Sequence, residues 1–526
     1  MQTTISRSRR NMPENYNITL NFLDNANKQA DDLFYSDRSA QLTYGAMQKL
    51  VIELASFITA RKRPKKIGIL ATKSPQAYMG ILAAGYAGAT YIPLNLKWPE
   101  QRIVQLLEAL QLDALIVDKQ GLGLLTTDVL KAAPDLVVCT DKQNLQAAYN
   151  KQLIVEFSDI SAETLIEPAQ VDAKDLAYIL FTSGTTGLPK GVMISAGSLK
   201  SYLDESRSWT NLTPQDRLAE TCDVTFDLSV HNLFLCVDAG ASLHIFSSLE
   251  MLAPSRFIRE RSITVWMSVP TLAAMMRKSG ALKADSLPSL RLSIFCGEPL
   301  PVATVEAWAQ AAPNGVIENI YGPTEGTVIC LRQRVDAKPA ITKGRDIIAI
   351  GTPYKTMQVE IFDENQQTLG LGQAGEIALS GPQLAEGYFD YANTNQNDRF
   401  REINGQRWYL TGDLGMKDEN GIFHHLGRTD NQIKLKGNRV ELEEVEAHLR
   451  KAAQSEMVAV VAWPIVENSA QGLVAFCTSA LTTDAIKTAL LSSLPRYMVP
   501  ETIHICDILP VNINGKIDRK QLLEQI

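Results

Sequence analysis

Tyr178-Ile179-Leu180-Phe181-Thr182-Ser183-Gly184-Thr185-Thr186-Gly187-Leu188-Pro189-Lys190-Gly191 runs an apolar, strand-forming segment into a loop of hydroxyls and glycines that closes on a lysine. Glycines let backbone N–H groups turn toward an anion, hydroxyls add donors, and the lysine adds a point charge, so the segment reads as a polyphosphate cradle. The G-x-x-x-x-G-K-[ST] spacing of a Walker loop is absent. Upstream, from about Asp32 to Val171, short β-rich runs at 66–71, 90–94 and 114–118 alternate with helix-like stretches at Tyr44–Arg61 and Glu100–Leu110. That alternation implies parallel βαβ layers. The quoted strand opens a second such set, continued by a helix at Ser198–Trp209 and strands at 241–246, 264–269 and 290–297. The expected fold class is α/β, with two doubly wound sheets.

Between Ile348 and Gly387 the strands at 358–363 and 375–381 follow closely without helices, which points to an antiparallel sheet or small barrel. Past Gly427 the composition turns polar. Helices at Glu441–Ala453 and Asp484–Leu494, with strands at Met457–Trp463 and Leu473–Thr478, then outline a separate α+β unit of about 100 residues, a size that folds by itself. The expected domains are a large N-terminal one over 1–427 and a small C-terminal one over 428–526.

The chain has 526 residues, a formal charge of −7 and 21% charged residues. No basic field is available for gripping nucleic acid. Seven widely spaced cysteines without a C-x-x-C pair suit reduced thiols better than a disulfide framework or a zinc site, which points to the cytoplasm. The arginines near the N-terminus are not followed by an apolar core, so no secretory signal is expected. Ser74–Leu96 is uncharged and long enough for a bilayer, but it holds Gln76, Pro93, Asn95 and three glycines. It reads as a buried helix, turn and strand, and membrane insertion is not expected.

Further blocks follow in order: Asn319-Ile320-Tyr321-Gly322-Pro323-Thr324-Glu325, Tyr409-Leu410-Thr411-Gly412-Asp413, Gly427-Arg428-Thr429-Asp430-Asn431-Gln432-Ile433-Lys434, and Asn514-Gly515-Lys516-Ile517-Asp518-Arg519. Singly, each acid or lysine reads as an ordinary turn or solvated side chain. Together the blocks resemble the adenylate-forming superfamily, in particular stand-alone amino-acid adenylation domains similar to D-alanine:carrier-protein and prolyl-carrier-protein ligases. The resemblance covers essentially the whole chain. It implies an AMP-forming ligase that uses ATP and Mg²⁺, with a mobile C-terminal lid.

The resemblance also implies residue roles. Thr182, Ser183, Gly184, Thr185, Thr186 and Lys190 would embrace the β- and γ-phosphates. Tyr321 would pack on adenine with Asn319 at its edge, Thr324 would meet the α-phosphate, and Glu325 would hold Mg²⁺. Asp413 would accept the ribose hydroxyls, a task suited to a carboxylate with two acceptor oxygens, with Arg428 beside it. Lys516 would bridge the substrate carboxylate and α-phosphate. Asp430 would be the hinge about which the lid turns to swap Lys516 out and present the Lys434–Gly437 face for thioester formation.

Glu220-Thr221-Cys222-Asp223-Val224-Thr225-Phe226-Asp227-Leu228-Ser229-Val230-His231 bears on the substrate. An aspartate before a helix is explicable as an N-cap, but in amino-acid-activating relatives this one pairs with the α-ammonium. Carried over position by position, the specificity pocket is Asp227, Leu228, His231, Met267, Ile294, Cys296, Ile320, Val328 and Ile329. Its lining is mostly apolar and would leave a charged side chain buried without a partner. A small uncharged amino acid is expected, L-proline first and D- or L-alanine second. The acceptor would be the phosphopantetheine thiol of a carrier protein in trans. The rivals are an acyl- or aryl-CoA synthetase and a catalytically silent docking module.

Overall fold

The computed structural model describes residues 14–142, 152–162, 164–183, 189–389, 396–429, 432–466, 469–510 and 517–526. Two large sheets dominate them. The eight-stranded sheet runs, edge to edge, through Gly387–Phe389, Lys190–Ser195, Leu176–Thr182, Thr90–Pro93, Lys66–Leu70, Ala114–Val117, Leu136–Cys139 and Leu153–Glu156. Its middle strands pair in parallel. Helices Pro75–Tyr86 and Glu100–Leu110 supply crossovers, and they lie where the apolar spacing predicts.

The uncharged stretch 74–96 is a helix, a turn at Gly88 (φ +70°) and a strand. Ser74 caps the helix by accepting from the Ala77 N–H at 3.3 Å, and Pro75 fills the first turn, where its missing N–H is not needed. All the residues from Ala77 to Tyr86 are buried; a helix apolar on every side belongs in a protein core. Among the described residues no helix is long and apolar enough to cross a membrane.

The quoted strand does not open the second sheet. Leu176–Thr182 pairs in parallel with Thr90–Pro93 and closes the first sheet through its antiparallel partner Lys190–Ser195. The second, nine-stranded sheet instead recruits Leu33–Ser36 from near the N-terminus, parallel to Ser242–Ile245. The two sheets share one core cluster, in which Tyr78, Tyr91, Tyr178 and Phe234 are fully buried.

The strands expected between 348 and 387 belong to a five-stranded antiparallel sheet with Gln406–Lys417 at its centre. Phe423–Arg428 pairs with that central strand off the main path of the sheet. After Arg428 the pairings restart in two smaller sheets, one carrying the hairpin Gln432–Leu435/Asn438–Glu441 and the other Val458–Ala462, Leu473–Cys477 and Thr502–Ile505. Helices Leu442–Ala453 and Thr483–Ser493 pack with them around Val445, Leu449, Ile486 and Leu490. This part sits against the rest through a buried ion pair, Arg102 Nη2 to Glu444 Oε1 at 2.6 Å.

Candidate active site

The strands Leu176–Thr182 and Val316–Tyr321 end at the rim of one cavity of about 340 Å³, a volume in the range of small-ligand sites. Thr182, Ser183, Asp227, Asn319, Tyr321, Thr324, Asp413, Arg428 and Lys434 all border it. Residues spread over more than 250 positions of sequence thus meet at the carboxyl ends of strands, where open α/β sheets bind ligands. Gly184, Thr185, Thr186, Asp430 and Lys516 lie outside the described residues.

Asp413 and Arg428 face each other across neighbouring strands, and Arg428 Nη1 lies 2.7 Å from Asp413 Oδ1. The Tyr321 hydroxyl donates to Asp413 Oδ2, and His425 Nε2 stands 3.5 Å from Oδ1. Burial works against the Asp413 charge, but the Arg428 guanidinium and these donors hold its carboxyl well below the usual range. An anion acceptor is thus kept charged inside the cavity. Asn319 is less free than expected, since its amide donates to the Ala349 carbonyl at 2.8 Å.

Thr182 Oγ1 is buried without a hydrogen-bond partner among the described residues. A donor left idle at a cavity wall suits an incoming anion, because burying it unpaired is otherwise unfavourable. Lys190 does not border the cavity; its ammonium lies 5.3 Å from the centre of the Tyr388 ring. The Tyr388 hydroxyl in turn donates to Glu325 Oε1 at 2.7 Å.

Glu325 is fully buried and does not border the cavity; it is paired with Arg439, which does, and whose Nη1 lies 2.9 Å from Oε2 and 3.3 Å from Oε1. Burial opposes its charge, yet Arg439 and Tyr388 hold the carboxyl below its ordinary range. Sequence reasoning missed Arg439, Tyr388 and Gln383. The Gln383 amide donates to the carbonyls of Ile329 at 2.8 Å and Gly326 at 3.2 Å, bracing the loop after Glu325. That loop holds Thr327 and Val328 at φ +59° and +68°, a conformation that β-branched residues adopt only under constraint.

Gly322 is required by the same loop. A Cβ there would sit 2.4 Å from the Val328 carbonyl oxygen and 2.9 Å from the Ile329 Cα, backbone atoms that cannot step aside. Gly322→Ala is expected to cost about 1–3 kcal/mol through overpacking, measured as a lower denaturation midpoint. An unchanged midpoint would mean the loop has room.

Asp227 is not a cap. It is the first residue of helix Asp227–Ala239, Phe226 occupies the cap position, and no side-chain cap bond is made. It instead borders the cavity beside Thr324. Burial raises its pKa, an effect opposed by the nearby Thr324 hydroxyl and by the charges of Lys434 and Arg439. Burial lowers the Lys434 pKa, reinforced by Arg439 and opposed by Asp227. Of the remaining specificity positions only Ile320 borders the cavity. Leu228, His231, Met267, Ile294, Cys296, Val328 and Ile329 are buried behind it. His231 is bonded through Nδ1 to the Tyr202 hydroxyl and lies parallel to Trp209, and burial pushes its pKa down to about 3, so the ring is neutral packing.

Residues 22–389 match the family described as AMP-binding enzyme. The chain is 30% identical to a D-alanine–D-alanyl carrier protein ligase of Bacillus velezensis, over 95% of this chain and 97% of the relative. It is also 30% identical to an L-proline–[L-prolyl-carrier protein] ligase of Pseudomonas fluorescens, over 93% of this chain and 95% of that one. The solved Vibrio cholerae adenylation domain AlmE, in complex with glycyl-adenosine-5'-phosphate, superposes with a TM-score of 0.87 at 32% identity, covering 99% of both chains. With residues of the blocks up to Lys434 gathered on one cavity and likeness running nearly the full length of these relatives, the chain belongs to the AMP-binding enzymes of the adenylate-forming superfamily.

Proposed function

We propose that the protein activates a small amino acid as its aminoacyl-AMP and passes the acyl group to the phosphopantetheine thiol of a separate carrier protein. A carboxylate oxygen attacks the α-phosphorus of ATP and pyrophosphate leaves. The thiol sulfur then bonds the acyl carbon, the acyl C–O bond to AMP breaks, AMP departs with that electron pair, and the thiol proton is lost. The observation that carries this reading is the half-buried Asp227 carboxylate bordering the same cavity as Thr182, Tyr321 and Asp413. It supplies an anion for an α-ammonium where a fatty or aryl acid needs none.

Glu325 suits a divalent cation shared with the nucleotide. It is a buried carboxylate, and among the described residues no group of three or more His, Cys, Asp or Glu could hold a metal by itself. Magnesium commonly takes one or two carboxylates and leaves its other positions to phosphates and water. Bound there it would neutralise phosphate charge as pyrophosphate departs. All seven cysteines are free, which suits a reducing cytoplasm.

The cavity supports a small side chain, because His231, Met267 and Cys296 are buried and do not border it. That favours alanine over proline, and glycine, with no side chain, fits with least displacement. ATP–pyrophosphate exchange across glycine, both alanines, L-proline and a set of fatty and aryl acids tests both parts. Exchange with proline alone overturns the size argument, and exchange with non-amino acids alone overturns the role of Asp227.

His231→Ala is expected to deepen the pocket. Removing the ring also leaves Tyr202 without its partner, so a stability loss of about 2–4 kcal/mol accompanies the change, by analogy with large-to-small core substitutions. Exchange should shift from the smallest amino acids toward proline- or valine-sized ones. An unaltered preference would mean that His231 does not bound the side-chain site.

A further inference from the structure

Glu220 ends the strand Arg217–Glu220 of the second sheet and is wholly buried, and residues 221–226 then lead the chain to Asp227. Its Oε1 accepts two hydrogen bonds, from the Cys222 N–H at 3.0 Å and from the Asn232 side-chain amide at 3.3 Å. Cys222 lies on the stretch that leads into Asp227, and Asn232 lies on the helix that Asp227 begins. One carboxyl oxygen therefore ties the segment before Asp227 to the helix after it. Asn232 also donates to the Ala219 carbonyl at 3.2 Å, which docks that helix on the strand end.

The backbone around Glu220 is held as well. Lys73, between strand Lys66–Leu70 and helix Pro75–Tyr86 of the other large sheet, donates to the Glu220 carbonyl at 3.0 Å and to the Phe246 carbonyl at 2.5 Å. Farther along, Thr221 donates to the Met267 carbonyl, and the Asn95 amide donates to the Thr225 hydroxyl at 3.2 Å. Asn95 and Thr225 border the cavity together with Asp227, so the bracing that starts at Glu220 ends at the ligand site.

Glu220 itself does not border the cavity, so contact with a substrate does not account for an acid buried there at a cost in solvation. Burial pushes its carboxyl up to about 7, opposed by Lys73, the Cys222 N–H and Asn232. Oε2 makes no hydrogen bond among the described residues, so a proton there leaves both bonds to Oε1 in place. What the segment requires at this position is an acceptor oxygen rather than a charge.

We propose that Glu220 is a positioning residue for amino-acid activation: as the shared acceptor for Cys222 and Asn232 it sets where Asp227 meets the α-ammonium. The inference rests on the proposed role of Asp227 and goes beyond it, since it assigns the placement of that carboxylate to a residue outside the cavity. A misplacement of about 1 Å in such a constellation costs on the order of 10²-fold in rate.

Variants at this position separate the acceptor from the bulk of the side chain. Glu220→Ala should raise the amino-acid KM in ATP–pyrophosphate exchange at least about tenfold, with glycine, both alanines and L-proline each varied, while the ATP KM stays within about threefold. Glu220→Gln keeps an acceptor oxygen and should stay within about threefold of wild type in both. Should Glu220→Ala fail to fold, Asn232→Ala gives the reading from the helix side, with the amino-acid KM raised about fivefold and the ATP KM unmoved. Hydrogen–deuterium exchange of a peptide covering 221–226 in the ligand-free protein reads the brace without turnover: protection should fall at least about fivefold in the alanine variants and be kept in Glu220→Gln. Equal rises in the two KM values overturn the proposal, because they mark a role confined to packing. Glu220→Gln as impaired as Glu220→Ala overturns it too, as does unchanged protection in the alanine variants. Absence of exchange in the wild-type protein would count against the proposed function instead, since the protection measurement involves no turnover.

Discussion

Asp227→Ala should abolish activation of amino acids while nucleotide affinity hardly moves. Removing one partner of a desolvated ion pair costs about 3–5 kcal/mol, which corresponds to roughly 10²- to 5 × 10³-fold in kcat/KM for the amino acid. The substitution deletes a carboxylate of the cavity lining and leaves the contacts among Asp413, Arg428 and Tyr321 untouched. ATP affinity should change by no more than about fivefold, since the groups placed around the nucleotide, Asp413, Arg428 and Tyr321, keep their mutual contacts. Steady-state exchange with each substrate varied in turn separates the two. Parallel losses in amino-acid and ATP terms would refute the assignment.

Lys516→Ala carries the second large effect. Lys516 lies outside the described residues, and its role is argued from the Asn514-Gly515-Lys516 block. A lone cation aimed at charge developing on phosphorus is worth about 3–4 kcal/mol, as for a deleted oxyanion donor. Exchange should drop by roughly 10²- to 10³-fold, whereas transfer of preformed adenylate to pantetheine should persist. If both half-reactions fall together, the two faces of the C-terminal part do not divide the work between them.

Where local pattern dominates, the sequence was readable. Glu100–Leu110 is a helix over the residues its apolar spacing predicts, and Leu442–Ala453 starts one residue inside its expected bound. Pairing partners were less legible. Leu176–Thr182 has the apolar character of a central strand in either sheet, and only its neighbour Thr90–Pro93 decides which. The site divides in the same way. Asp227, Tyr321 and Asp413 stand in motif blocks and converge as expected. Arg439 sits in Gly437-Asn438-Arg439-Val440, which looks like a solvated turn, and its partner Glu325 is 114 residues away. The depth of the specificity pocket was hidden too, because residue types alone do not say that His231 turns back onto Tyr202 and Trp209.

The strand Leu33–Ser36 lies in the sheet whose neighbouring strand, Ser242–Ile245, is translated roughly 200 residues later. At ribosomal rates of about 5–20 residues per second, that segment waits on the order of ten seconds or more for its partner. Its residues 34 to 36 are buried in the finished protein, and although Gln41–Thr43 can pair with one side of it at once, its other edge stays open until then to a neighbouring nascent chain. The N-terminal half should thus not yield a native fragment when translation halts before 242, and C-terminal truncations there should partition to aggregates or to chaperones.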